Sequence, residues 1–307
     1  VEYPTAIAVD ASYVYVAGVH EETVAGICSD MVWHIEKRLK SSLAIVWSQT
    51  INPRQTNVVS PCVGGLGIGT DVIWSIAVDQ DYVYVGGQEQ WVRSIFESWP
   101  SAWRLEKRNK SDGALALPPQ VIHSDPNTFY AAKITSLATD NANLYVAGIL
   151  GDYSTLFEKR HNSDLGLIWS ASRSAMHPFA RRGIAYHGSE LYLIYPTGNL
   201  YDGTGSVEKV LDLNGSIVWS VPLALGMNNV ITTNFVDAGV YIATAPDFVT
   251  GSDIQWKMQK YNKLNGSLEW TRFSNPSVGY DWPNAAILNN DGLYVAGMDS
   301  VPGNWQW

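Results

Sequence analysis

One short pattern of aromatic and aliphatic residues recurs along the chain, with a tyrosine at its centre and often a glycine at its end. The strong copies read YVYVAG, YVYVGG, NLYVAG and GLYVAG, and the weaker copies read ELYL and GVYI. Alternating aromatic and β-branched residues are typical of a β-strand. The pattern therefore predicts six copies of one β unit, whose central tyrosines are Tyr15, Tyr84, Tyr145, Tyr192, Tyr241 and Tyr294.

Each copy lies within a longer unit that predicts four strands. A short apolar strand such as 7–10 (IAVD) precedes the tyrosine strand, and a partly alternating strand such as 33–38 (WHIEKR) follows it. A turn then leads to an outer strand, as in 214–219 (NGSIVW) and 265–270 (NGSLEW). Asn-Gly between two such strands is a strong hairpin signal because both residues tolerate positive φ. No segment of useful length has a helical period with caps, so we expect almost no helix.

The spacing of the units indicates the architecture. The central tyrosines lie 69, 61, 47, 49 and 53 residues apart, which suits four strands joined by loops of variable length. A β-sandwich does not explain a repeated four-strand order, and a β-solenoid would have shorter, more uniform coils. We predict an all-β, six-bladed β-propeller of four-stranded antiparallel blades in one domain, residues 1–307, with the last blade incomplete or closed by the N-terminal strand. The predicted blades are approximately 5–50, 73–120, 134–171, 182–221, 232–272, and 284–307 plus 1–4.

The turn before the outer strand resembles the repeat of quinoprotein-type (PQQ-like) propellers, in which a glycine precedes a docking tryptophan. Gly215 with Trp219 and Gly266 with Trp270 match that pattern. The VYVAG and EKR segments are also similar to repeats of secreted and surface-layer propellers of archaea and bacteria. The resemblance covers nearly the whole chain, and it implies the architecture rather than an activity.

Three units depart from the quinoprotein-type pattern. Trp47 and Trp169 keep the tryptophan without the same glycine spacing, and Leu117 replaces it in the second unit. A quinoprotein dehydrogenase would also carry adjacent cysteines, which this sequence lacks. The six histidines include no pair at metal-ligand spacing. We therefore predict neither a cofactor nor a metal site.

Composition narrows the choice of partners and compartment. The net charge of −9 argues against binding to nucleic acid or to an anionic membrane surface. No apolar run approaches the roughly 18 residues that span a bilayer, so we predict no membrane insertion. The chain begins at Val1, and we interpret it as a processed chain or an excised fragment of a longer protein. An extracellular or cell-surface location is the prediction.

The cysteines and three Asn-X-Ser motifs agree with that location. Cys28 lies in a predicted loop of the first blade and Cys62 in the connection that leaves it, so a disulfide is reasonable and two free thiols are the alternative. Asn109, Asn214 and Asn265 match the N-glycosylation pattern, and we place all three in the equivalent turn of their blades. Turn chemistry alone also accounts for Asn-Gly.

The long predicted loops all fall on one face of the propeller, which marks that face as the candidate binding surface. Exposed aromatics beside carboxylates and arginines suit carbohydrate, because sugar C–H faces stack on rings while hydroxyls take polar partners. The alternative is that these aromatics simply pack the loops onto the blades. The candidate ligand-binding residues are Trp91, Trp99, Tyr130, Arg181, Arg182, Tyr201, Asp202, Tyr280, Asp281 and Trp282.

Signals for catalysis are weak. Residues 162–169 (NSDLGLIW) approach the Asp-box of sialidases, but the motif occurs once. Asp10, Asp79 and Asp140 recur at one position of the unit, where we expect them to cap the turn after the inner strand. We therefore predict a non-catalytic extracellular propeller with a structural, adhesive or ligand-binding role, within a surface layer or filament. Its partners would be other protein subunits, further domains of the same chain, or carbohydrate. The alternative is a carbohydrate-active enzyme, a glycoside hydrolase or lyase, with its site on the long-loop face.

Overall fold

The fold is built from antiparallel strands and was obtained as a computed structural model of the chain. The structure describes residues 2–24, 28–53, 71–90, 101–125, 132–174, 183–187, 189–197, 204–224, 239–244, 255–275, 281–289, 292–301 and 304–306. Within these ranges there is no α-helix, as the sequence predicts. No helix in the described part of the chain is long and apolar enough to cross a membrane.

The first three sheets each contain four strands. The first is β1 (Glu2–Val9), β2 (Tyr13–Val24), β3 (Cys28–Leu39) and β4 (Ile45–Ile51). The second is β5 (Val72–Val78), β6 (Tyr82–Gln90), β7 (Ser101–Asn109) and β8 (Gln120–Asp125). The third is β9 (Lys133–Thr139), β10 (Asn143–Ile149), β11 (Thr155–His161) and β12 (Leu167–Arg173).

The fourth sheet also has four strands, and three strands are described in each of the last two sheets. The fourth is β13 (Gly183–His187), β14 (Glu190–Pro196), β15 (Thr204–Val210) and β16 (Ile217–Ala224). The fifth is β17 (Gly239–Thr244), β18 (Trp256–Asn262) and β19 (Leu268–Ser274). Its predicted inner strand lies outside the described residues. The sixth is β20 (Trp282–Asn289), β21 (Gly292–Val301) and β22 (Asn304–Gln306).

The chain divides into two compact units, residues 1–152 with 159–168, and residues 153–158 with 169–307. In the first unit, one buried apolar cluster joins the first two sheets and includes Tyr15, Trp33 and Ile76. In the second unit, another joins the fourth and fifth sheets and includes Tyr192 and Val240. Each sheet therefore buries its face against the next sheet of the same unit. The prediction of a single domain, 1–307, is not tested by this division.

The strands keep one register from sheet to sheet. In the first sheet Tyr15 lies opposite Lys37, and Lys37 lies opposite Trp47. The fourth sheet repeats this row with Tyr192, Lys209 and Trp219, and the fifth with Tyr241, Lys260 and Trp270. Residues directly opposite on one face of a sheet contact each other, so each of these three rows places an aromatic ring on each side of a lysine.

The first strand is longer than the sequence suggests. Glu2 and Tyr3 pair with His20 and Val19 of β2, so they extend the inner strand of the first sheet. Cys28 is likewise in strand, opposite Val24, and not in a loop. The hairpin of β2 and β3 therefore reaches farther than the predicted strands, which corrects the loop position given to Cys28.

The turn between the third and fourth strands has one conformation in five units. A backbone N–H donates to the carbonyl four residues earlier, as from Gly215 to Leu211. The donor residue has positive φ in each unit, and it is Leu43, Gly113, Leu165, Gly215 and Gly266 in turn. The first and third units therefore lack the glycine before Trp47 and Trp169, as the sequence indicates, but they form the same turn with leucine at the glycine position.

An arginine supports the turn where Asn-Gly is missing. Arg38, Arg108 and Arg160 donate to the carbonyl of the positive-φ residue at 2.9, 2.7 and 2.8 Å. The fourth and fifth units have Val210 and Tyr261 in place of this arginine, and both have Asn-Gly in the turn. A left-handed leucine costs about 1–2 kcal/mol, and both leucine turns have the arginine, which is also present beside Gly113 in the second unit.

Replacing Leu43 with glycine tests this account of the turn. Leu43 has φ of 56° and is 58% exposed, so Leu43→Gly relieves backbone strain and removes little buried surface. Because glycine also orders a more flexible chain, we expect a gain of up to about 1 kcal/mol in the free energy of unfolding. Gly215→Ala should instead lose about 1–2 kcal/mol, since its new Cβ would lie 2.9 Å from the Trp169 ring.

Urea denaturation of the two variants measures both changes. Gly166→Ala is the matched control, because its Cβ would meet only the side chain of Asp164. A Leu43→Gly variant less stable than the wild-type protein would contradict the account.

Candidate functional site

A carboxylate and a tyrosine lock the start of the tyrosine strand in three units. Asp79 Oδ1 accepts the backbone N–H groups of Asp81 and Tyr82 at 2.9 and 2.7 Å, and Oδ2 accepts the Tyr84 hydroxyl at 2.7 Å. The equivalent tyrosine bonds are 3.0 Å at Asp10 and 2.7 Å at Asp140. Both of these carboxylates also accept the two backbone N–H groups. The predicted turn-capping role of the three aspartates is confirmed.

In the fourth unit a glutamate, Glu190, takes the place of the aspartate as the acceptor of the tyrosine hydroxyl. Glu190 Oε2 accepts the Tyr192 hydroxyl at 3.1 Å, and its Oε1 accepts from Lys209 Nζ at 2.6 Å. Lys263 of the next turn lies 3.5 Å from the same carboxylate. Likewise, Lys110 of the second sheet lies 2.7 Å from the carboxylate of Asp10 in the first. The carboxylate thus links its own sheet to the next turn as well as capping its strand.

These contacts shift the titration of both partners. Burial alone would raise the pKa of Asp10, but hydrogen bonds from Lys110, the backbone of Ser12 and Tyr13, and the Tyr15 hydroxyl hold it well below its usual range. The pKa of Glu190 is lowered for similar reasons, with Lys209 the main hydrogen-bond donor. Burial and the adjacent carboxylate raise the pKa of Tyr15 and of Tyr84. The carboxylates are therefore held ionised and the tyrosines held neutral.

The carbonyl at the turn is the acceptor that joins one sheet to the next. The Lys110 carbonyl accepts from Lys37 Nζ at 2.7 Å and from Trp47 Nε1 at 3.1 Å. In the fourth and fifth sheets, the Lys263 carbonyl accepts from Lys209 Nζ and Trp219 Nε1, both at 3.1 Å. The docking tryptophan expected from the quinoprotein-type resemblance is therefore present, and a lysine shares its acceptor.

The second unit shows what happens where the tryptophan is absent. Leu117 stands at that position, and Lys107 Nζ alone reaches the Asn162 carbonyl, at 2.6 Å. Another tryptophan, near the other end of the strand, also joins the second sheet to the third. Trp103 Nε1 donates to the Ile149 carbonyl at 2.7 Å, and its ring lies against Gly148, where a Cβ would be 2.4 Å away.

The ion pairs of a buried glutamate in the third strand were not predicted from the sequence. Glu106 is fully buried, and it lies 2.6 Å from both Arg104 and Arg108. Arg104 continues the cluster to Glu89 at 2.7 Å. The recurrent Glu-Lys-Arg triplet was the available signal. The residue that pairs with the glutamate from outside the triplet could not be predicted, because it differs between units. It is His34 for Glu36, Arg104 for Glu106, and Arg173 of an outer strand for Glu208.

Most of the predicted ligand-binding residues lie outside the described residues. They are Trp91, Trp99, Tyr130, Arg181, Arg182, Tyr201, Asp202 and Tyr280. Trp282 begins β20, and Asp281, just before it, is fully buried. Asp281 stands where Asp71 stands in the second sheet, and Asp71 Oδ1 accepts the Gln90 N–H at 2.8 Å. The carbohydrate site therefore remains a prediction.

The modification candidates have different surroundings. Asn214 and Asn265 are exposed, and each Oδ1 accepts the backbone N–H two residues on, at 3.0 and 2.9 Å. Asn109 differs, because it ends β7 at the position of Leu211 and Asn262. The expected equivalence of the three is corrected to two. Cys62 lies outside the described residues, so the disulfide with Cys28 stays a prediction.

The described part of the chain contains no cluster of three or more His, Cys, Asp or Glu side chains that could hold a metal ion. Its recurrent carboxylates accept hydrogen bonds from tyrosines, backbone N–H groups and cations of the fold itself. Through these hydrogen bonds and ion pairs, the carboxylates hold strands and sheets together.

Repeated four-stranded antiparallel sheets with docking tryptophans define a β-propeller, and solved structures agree with that class. The β-propeller domain of the Trilobed protease from Pyrococcus furiosus, which has an open velcro topology, matches 99% of this chain and 82% of its own, with 9% identity and a TM-score of 0.54. Kuenenia stuttgartiensis hydrazine synthase matches 95% of this chain and 73% of its own, with 10% identity and a TM-score of 0.57.

A quinohemoprotein alcohol dehydrogenase from Pseudomonas putida matches 97% of this chain but only 52% of its own, with 11% identity and a TM-score of 0.51. Such similarity supports the PQQ-like propeller repeat at the level of fold. No protein-family model and no curated protein matches the sequence.

Replacing the docking tryptophan Trp219 tests the junction of the fourth and fifth sheets. Trp219→Phe removes the hydrogen bond to Lys263 and part of the ring that lies against Gly266. We expect a loss of about 1–2 kcal/mol in the free energy of unfolding. Val218→Ala, at the exposed neighbouring position, is the control and should change the urea midpoint little. Equal losses in the two variants would contradict the docking role.

The lowered carboxyl pKa values predict how stability depends on pH. A group whose pKa is lower in the folded chain stabilises it above the unfolded carboxyl pKa of about 4. That contribution is lost as the pH falls through the folded value. Asp10→Asn should therefore lower the melting temperature at pH 7 but approach the wild-type protein below about pH 3. A difference that stayed constant down to pH 2 would contradict the role given to Asp10.

Proposed function

We propose that this propeller is a non-catalytic extracellular module with a structural, adhesive or ligand-binding role, which acts through its surfaces within a surface layer or filament. The observation that carries the proposal is the structural use of the recurrent charged residues. Asp79 caps a turn, Glu106 binds two arginines and Lys37 bonds the next turn. Residues so engaged in the fold are poorly placed to perform chemistry on a substrate.

The direction of the pKa shifts also supports a non-catalytic role. A glycoside hydrolase requires a general acid, whose carboxyl pKa is raised. The carboxyl groups with shifted pKa values in the described residues are all lowered instead, and they are Asp10, Glu36, Asp140 and Glu190.

The outer strands supply contact surface. Two positions that follow the turn carry exposed aliphatic residues in the first, third and fourth units, and the first of them does so in the second unit, at Leu115, and in the fifth. The exposed residues of the other four units are Ile45, Val46, Leu167, Ile168, Ile217, Val218 and Leu268. Apolar side chains on an exposed edge strand can serve as a contact surface. A module that contacts other subunits, or further domains of its own chain, would use such strands.

The extracellular part of the proposal comes from the sequence. Two cysteines are predicted to form a disulfide, which would persist in an oxidising compartment. Asn214 and Asn265 are exposed at the surface, and this exposure is compatible with N-glycosylation.

A polysaccharide assay separates the two functional classes. We expect the purified chain to release no reducing ends from neutral, acidic or sialylated glycans, and to be retained on a glycan or protein surface in a binding assay. Release of reducing ends that was abolished by Asp202→Asn or Asp281→Asn would contradict the proposal and favour the carbohydrate-active alternative. Leu213→Ser, at a position that is 82% exposed, is the control for both measurements.

A further inference from the structure

The outer strand of the first sheet is an edge strand. Among the strands that the structure describes, β4 (Ile45–Ile51) is bonded to β3 alone. An edge strand directs every second set of backbone N–H and C=O groups away from its sheet, and these groups can bond a strand of another chain. Proteins usually block such pairing with a charge, a proline or a bulge on the edge strand. The composition of an edge strand therefore indicates whether it is protected from pairing or open to a partner.

Four other outer strands are described, and each has a protective feature of this kind. In β8, the ladder with β7 contains a bulge, and His123 has positive φ. Strand β12 ends in Arg173, and β19 contains Arg272. Strand β16 contains Pro222, which has no backbone N–H to offer to another strand. These four edges are therefore poorly suited to pairing.

Strand β4 lacks these features. Its sequence, IVWSQTI, has no charged residue and no proline. Its pairing with β3 is regular over residues 47–51, after a register shift that the first, fourth and fifth sheets share at the start of the outer strand. Uncharged segments of high β-propensity without proline are the kind that pair with a further strand. Of the outer strands in the described ranges, β4 is thus the one suited to receive a partner.

The proline of the fourth sheet shows which backbone groups of β4 point outward. Pro222 lies opposite Ser206 in that sheet. Thr50 lies opposite His34 at the equivalent position of the first sheet. Because a proline cannot donate to the ladder, its nitrogen faces away from the neighbouring strand. The N–H of Thr50 therefore points to the open edge, and so does the N–H of Ser48, since the direction alternates along an antiparallel strand.

The sequence of β4 is complementary to a second copy of itself. About a twofold axis at Gln49, Ser48 of one copy lies opposite Thr50 of the other, and each such pair exchanges both main-chain hydrogen bonds. Uncharged side chains then meet uncharged side chains throughout the strand. The same arrangement of β19 would place two copies of Arg272 opposite each other, and like charges in that position are destabilising. In β16, Pro222 would remove one donor from each pair.

We propose that two copies of the chain associate through β4, with their outer strands paired antiparallel about Gln49. The contact is isologous, because both copies use the same surface, so it closes as a dimer. A layer or filament requires a second, different contact on each dimer. The proposal names a partner for the assembly role proposed above and rests on it.

Two substitutions of Thr50 test the contact at the backbone. Thr50→Pro removes the outward N–H at a position where the fourth sheet itself has a proline, whereas Thr50→Val keeps this N–H. Both variants lose the side-chain hydrogen bond to His34, so they are matched for that loss. Sedimentation velocity should show a monomer–dimer equilibrium for the wild-type chain and for Thr50→Val. The dissociation constant of Thr50→Pro should be at least about tenfold higher.

A charge exchange at the twofold axis tests the register. Gln49→Lys and Gln49→Glu each place like charges opposite each other, so each variant alone should be largely monomeric. Their equimolar mixture should form a dimer, because opposite charges then meet. Leu213→Lys adds a charge outside this strand, at a position that is 82% exposed, and should associate like the wild-type chain. Far-ultraviolet circular dichroism checks that every variant is folded.

Three results would overturn the proposal. They are a wild-type chain that stays monomeric at every concentration, equal dissociation constants for Thr50→Pro and Thr50→Val, and folded Gln49 variants whose mixture does not associate. If Thr50→Pro does not fold, the Gln49 variants decide alone. None of these results changes the outcome of the polysaccharide assay, so failure of this contact and failure of the proposed function are distinguishable.

Discussion

The structure depends on the contact between the third and fourth strands of one sheet and the turn of the next. A single four-stranded sheet cannot bury both of its faces, so each sheet requires a neighbour held at a defined position. The turn carbonyl provides that position. At Lys110 it accepts from both Lys37 and Trp47, and at Lys263 it accepts from Lys209 and Trp219. A lysine in this contact is shielded from water, and neighbouring aromatic rings help to accommodate its charge, as where Lys37 Nζ lies 3.8 Å from the centre of the Tyr13 ring.

The geometry of that turn explains the variation among units. Its positive-φ residue must leave room for the docking ring, and Gly113, Gly215 and Gly266 do so, with a Cβ within 3.0 Å of a tryptophan ring at each. Leucine occupies the position in the first and third units, where Arg38 and Arg160 bond its carbonyl. Asn-Gly without the arginine, leucine with it, and Asp112-Gly113 with Arg108 thus produce the same turn. Where the structure shows its partner, the arginine also pairs with the glutamate two residues earlier, as Arg108 does with Glu106.

The repeat made much of this fold predictable from the sequence. Tyrosine strands, inner strands and aspartate caps follow from alternation and turn chemistry, which are local. The leucine-containing turns were missed because no local preference places leucine at positive φ, and the support comes from an arginine five residues earlier. The second cations of the buried glutamates were missed for a different reason. His34 is two residues from its glutamate, whereas Arg173 is in another strand, and only tertiary structure brings it to Glu208. The loop residues proposed to bind carbohydrate have no repeating pattern, so no internal comparison could position them.

A repeat protein uses the same chemistry at each of its sheet–sheet contacts, because every sheet carries one face with the central tyrosine and one aliphatic face that receives the tyrosine of the preceding sheet. Ile76, Val83 and Val85 of the second sheet show this arrangement, since they share one buried cluster with Tyr15 and Trp47 of the first. The aliphatic residues of the inner strands are therefore determined by the neighbouring sheet as well as by the preference of β-branched residues for strands.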